Sequence, residues 1–122
     1  MSDDDVHDGR TIDDAALFKS LEWLKKNAKP IAEARSRRSL MEEWPSVVRA
    51  RVARECIEAD MSAAAADITA KASPAYEEAL KGLEAAVFND ELLRIKRIQA
   101  EAIIEIWRTL SANRRAMDKV GV

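Results

Sequence analysis

SPAYEEALKGLEAAVFNDELLRIKRIQAEAIIEIWRTLSANRRAM, residues 73–117, is the stretch that decides the fold. Ser73-Pro74 opens it with an N-cap residue followed by proline at the first helical position, where the missing N–H is one of the helix's orphans anyway. No proline follows Pro74, and between Pro74 and Gly121 the only glycine is Gly82. The span Pro74–Met117, taken as one helix, would run roughly 65 Å at about 1.5 Å per residue. Tyr76, Leu80, Leu83 and Val87 make its first apolar stripe. Phe88, Leu92, Ile95, Ala102, Ile106 and Leu110 continue the stripe one position later. That slip is what a 3.6-residue helix does to a 3.5-residue repeat. Glu77–Lys81 and Asp90–Arg94 add pairs four apart. Arg114, Arg115 and Lys119 place cations where the helix dipole favours them, and Gly121 is the expected stop.

Outward from this helix, three earlier ones are expected. Thr11-Ile-Asp-Asp14 reads as a capping box, with Leu17, Leu21, Leu24 and Ala28 as the apolar stripe flanked by Phe18 and Trp23. Pro30 disfavours helical geometry at Lys29, so this helix should span 12–28. A second helix over 31–43 carries Ile31, Ala34, Leu40 and Met41, and Trp44-Pro45 is the next break. The third, over 45–72, has Val48, Val52, Cys56, Ala59, Ala63 and Ala66 at threes and fours. Ser62 marks a fresh cap inside it, with a bend at 61–62. The last helix spans 74–117. Residues 1–10, with four Asp and one Gly, have too little to bury and read as a disordered acidic head ahead of a single helical domain over 11–122. The fold class is therefore all-α: a helical hairpin or bundle of about four helices with one long C-terminal helix and coiled-coil-like packing. Alanine dominates the 48% of residues that are apolar, so the core should be thin.

Several chemistries are excluded on composition. The single histidine, His7, lies in the acidic head. Cys56 is the one cysteine and sits on an apolar stripe, which fits a buried small side chain in a reducing compartment. There is no Cys/His cluster for a metal, no glycine-rich phosphate loop, and Glu101 with Glu105 lack a neighbouring histidine. No enzyme activity and no cofactor are expected. No apolar run approaches the roughly 18 residues of a membrane span, and the Asp-rich start is the opposite of a secretory signal, so the expected location is the cytoplasm.

What remains is contact. A helix of the expected length outreaches a domain whose radius of gyration is roughly 14 Å, and it breaks near Asn89-Asp90 or projects. Its stripe of Leu92, Ile95, Ala102, Ile106 and Leu110 lies beyond the reach of the preceding helix. These five residues are the expected self-association surface, and a homo-oligomer is the expected state. Residues 1–28 hold seven acids and four bases and residues 94–122 seven bases and three acids, an asymmetry that suits antiparallel association. A second set of candidates is basic. Arg35, Arg37, Arg38, Arg94, Arg97, Arg108, Arg114 and Arg115, with Trp107, form the surface for a protein partner or for nucleic acid. The net charge of −2 counts against tight nonspecific nucleic-acid binding.

The run Ile106-Trp107-Arg108-Thr109-Leu110-Ser111-Ala112-Asn113-Arg114-Arg115-Ala116 resembles the ending of a group of small helical early-region proteins of tailed bacteriophages and prophages, in which a Trp-Arg pair is followed by Ala-x-x-Arg. Ala75-Tyr76 with Ala79-Leu80 and Leu83 is similar to the same group. The resemblance covers roughly residues 35–117 and implies a setting among recombination and replication genes. The expected function is a non-enzymatic helical adaptor in such a DNA-processing system. The alternatives are direct nucleic-acid binding through the arginine groups, and inhibition of a host defence complex by the acidic head.

Overall fold

A computed structural model describes residues 12–121, and they are helical without a strand among them. Three helices follow one another: α1 (Asp14–Glu58), α2 (Ala63–Lys71) and α3 (Pro74–Lys119). The acidic head, His7 and Thr11 lie outside the described residues.

The expected breaks at Pro30 and Trp44-Pro45 are corrected: both prolines are inside α1, which replaces the separate helices over 12–28 and 31–43 and the first half of 45–72. A proline in a helix interior loses one hydrogen bond and clashes with the preceding turn, at a cost of roughly 3 kcal/mol. Packing is the opposing term. Pro45 is itself buried, and buried or half-buried positions recur around it at Ala34, Arg38, Met41, Val48 and Val52. A break at either proline would throw these residues out of register. The start is corrected as well: the cap is Asp13, whose Oδ1 accepts from the Ala16 N–H at 2.9 Å.

Local signals set the remaining ends. α1 stops where the Met61 N–H reaches the Cys56 carbonyl and the Asp60 N–H reaches that of Ile57, both at 3.0 Å. Asp60 holds the left-handed φ of 71° that this closing turn needs. Glycine adopts that conformation without the Cβ clash. Asp60→Gly is therefore expected to raise stability by about 1 kcal/mol, read as a higher urea midpoint at unchanged slope. Ser62 caps α2 by accepting from the Ala65 N–H. Ser73 caps α3: its Oγ accepts from the Tyr76 N–H at 3.2 Å and donates to the Ala70 carbonyl at 2.7 Å. Beyond Lys119, Gly121 takes a φ of 73°, and α3 runs without a break through Asn89-Asp90.

The chain divides into two compact units. The first comprises the chain up to Lys29 with the chain from Arg94 onward, and the second is Pro30–Leu93. In the first unit the buried residues are Leu17 and Ser20 of α1 with Ala100 and Ser111 of α3. In the second they include Ala34, Val48, Ala66, Ala70, Ala79 and Ala86. Alanine thus fills most of the interior, as its abundance in the sequence suggests, and among the described residues no large side chain is fully enclosed. Helices meeting over alanine come close together. At Gly82 a Cβ would lie 2.6 Å from Met41 Cε, so glycine leaves the room that Met41 occupies.

The apolar stripes correct the sequence reading in detail. On α3 the side turned inward is Tyr76, Ala79, Leu83, Ala86, Leu93, Ala100, Ile104 and Trp107, all buried or half-buried. Leu80, Phe88, Leu92, Ile95, Ile98 and Ile106 are exposed. Large apolar side chains lie on both sides of α3, and the apolar residues buried outright are its alanines, Ala79, Ala86 and Ala100.

Candidate functional site

Two surfaces are built on the first unit. The outer side of α3 carries Ile95 and Ile98, each nearly half exposed (47% and 46%), then Ala102 and Ile106 (38%), with Leu110 half-buried. Leu92, in the second unit, is exposed to the same degree as Ile106. All five expected self-association residues therefore stand on α3, four of them exposed and none fully buried.

The other surface is a groove between α1 and α3 of this unit. Ala16, Ser20 and Ala100 make a floor of small side chains, Trp23 and Ile103 supply the bulk, and Lys19, Lys96 and Gln99 complete the lining. No acid among the described residues lines it. Lys19 and Lys96 make no ion pair among the described residues. Sequence reasoning missed this groove because it searched for arginine clusters. The available signal was the helical spacing of Lys19 and Trp23, four apart, and of Lys96 and Ile103, seven apart, which puts each lysine on the same helix side as a bulky residue.

Charge is segregated between the units. The first unit, residues 1–29 and 94–122, holds twelve bases and ten acids, a net charge of +2. Residues 30–93 hold eight bases and twelve acids, a net charge of −4. The whole-chain value of −2 conceals this.

The arginine candidates do not form one site. Arg38 is held inside the second unit, with Nη1 donating to Glu91 Oε2 at 2.9 Å and Asp90 Oδ2 at 3.1 Å, and Nε lying 3.9 Å from Glu42. The hydrogen bonds to Glu91 and then Asp90 raise its pKa further above an already high value, so the guanidinium is always charged. Arg35 and Arg37 are exposed, and Arg37 borders a groove with Glu33, Ala34, Gly82 and Asn89. The guanidinium of Arg51 lies 5.3 Å from the centre of the Trp44 ring, a cation–π contact. In the first unit Arg108 Nη1 donates to Glu105 at 2.9 Å, and Arg97 Nε lies 3.9 Å from Glu101, too long for a hydrogen bond. Arg94, Arg114 and Arg115 are exposed.

Trp107 is half-buried, and its Nε1–H donates to Asp14 Oδ1 at 2.9 Å, tying α3 to the start of α1. With Trp23 and Trp44 changed to phenylalanine, Trp107 emission is expected to resist acrylamide, with a quenching constant about half that of free tryptophan. Asp14→Ala should move it toward the free value. Full quenching in the parent protein would show an unpacked ring.

Among the described residues no group of three or more His, Cys, Asp or Glu could hold a metal ion, and no helix is long and apolar enough to cross a membrane. Cys56 is half-buried, with a free thiol. No protein-family model matches the chain, and neither a curated protein nor a solved structure matches it.

Proposed function

We propose that the chain is a non-enzymatic helical adaptor that works by protein–protein contact and self-associates through α3. The observation that carries this reading is the exposed stripe of Ile95, Ala102 and Ile106. Each isoleucine gains roughly 1.5–3 kcal/mol on full burial, and burying several of them gives a dimer a reason to form. Coiled-coil-like pairing of α3 with α3 of a second copy would cover the stripe. The sequence resemblance of residues 106–116 supports a setting in the recombination or replication apparatus of a tailed phage or prophage. The arginine-based nucleic-acid reading is the weaker one, because Arg38, Arg108 and Trp107 are engaged within the chain. Sedimentation equilibrium tests the proposal: a mass near twice 13.6 kDa is expected at micromolar concentration.

A further inference from the structure

We infer that the groove of the first unit is a docking site for an acidic amphipathic helix of a partner protein. The inference extends the contact-protein reading to a second surface, separate from the outer stripe of α3. Three observations select the occupant. The first is charge. Lys19 and Lys96 flank the groove, no acid among the described residues lines it, and the unit around it carries a net charge of +2. A partner bearing carboxylates is drawn toward it and oriented by it.

The second is the balance of contacts. Two lysines alone hold a nucleic acid weakly, since binding to a single strand gains its strength from many neutralised phosphates. The greater share of the energy must come from apolar contact with Trp23 and Ile103. That calls for Leu- or Ile-type side chains on the occupant. The third is backbone chemistry. Both walls are helices whose N–H and C=O groups are already paired, so an extended peptide would find no ladder to join. A helix brings its own backbone satisfied, and the small floor of Ala16, Ser20 and Ala100 lets it come close.

The test uses the full chain with Trp44→Phe and Trp107→Phe, leaving Trp23 as the reporter. The probe is a fluorescein-labelled helical peptide of about five turns, with leucine at spacings of three and four and glutamate beside each leucine. A version with lysine in place of glutamate is the charge control, and a labelled oligothymidylate is the nucleic-acid control. The acidic peptide is expected to bind with a shift in Trp23 emission, and the lysine version is not. Lys19→Glu with Lys96→Glu should weaken binding at least tenfold while circular dichroism stays unchanged. Trp23→Ala should weaken it without altering the charge. Ile95→Glu with Ile106→Glu should leave it intact, which separates this site from self-association. Three results overturn the inference: no binding of the acidic peptide, equal binding by the lysine-reversed variant, or oligothymidylate binding that the same reversal abolishes.

Discussion

Ile95→Glu combined with Ile106→Glu is expected to halve the sedimentation mass of the protein, from near twice 13.6 kDa to near 13.6 kDa, while leaving its helix content unchanged. Both effects follow from the same exposures. In the isolated chain Ile95 and Ile106 are 47% and 38% exposed, so a glutamate at either position keeps its carboxylate in water. Glutamate is also a better helix former than isoleucine. Between two copies the same carboxylates would have to be desolvated without a partner, a cost of several kcal/mol at each site. A single substitution should weaken the pair, and the double should abolish it. A parent protein that remains monomeric up to about 100 µM, corresponding to roughly −5.5 kcal/mol, rejects the self-associating adaptor.

The second large effect belongs to α2. Ala66→Leu is expected to lower stability by about 1–3 kcal/mol, the usual range for forcing extra carbons into a packed site. Ala66 and Ala70 are both 0% exposed, on a helix of nine residues. On the same helix, Asp67 Oδ1 lies 3.2 Å from Arg49 Nε of α1. The ion pair is partly exposed and cannot offset the overpacking. Ile68→Ala on the same helix, at a residue 70% exposed, should cost under about 0.5 kcal/mol. Urea midpoints compare the two. Equal midpoints would mean that α2 does not pack through its alanines.

The comparison between these two substitutions also shows what could be read from the residues. The all-helical character was legible, because strand-forming runs are absent and Ser62 and Ser73 announce real caps. The start of α3 at Pro74 and the left-handed Gly121 were legible for the same reason: turn and cap chemistry is local. The two prolines misled because their local preference is outweighed by non-local packing around Pro45, which no short window contains. The inner face of α3 misled because hydrophobicity was weighed by size. Leu80, Phe88 and Ile95 are larger side chains and are exposed, whereas Ala79, Ala86 and Ala100 are buried. Of the candidate site, the outer stripe was visible as an excess of apolar residues. The groove was not, because Trp23 and Lys96 are 73 positions apart in the chain and only the pairing of α1 with α3 joins them.

An interior made largely of alanine also shapes the response to temperature. Unfolding raises the heat capacity through newly hydrated apolar surface and lowers it through newly hydrated peptide groups. Alanine methyls contribute little of the first, and long helices release much of the second. The balance gives a small heat-capacity increment for a chain of this length, and so a shallow stability curve. Folding free energy then changes slowly on cooling, and the helices keep their pairing across a wide span of temperatures without a deep optimum at any one of them.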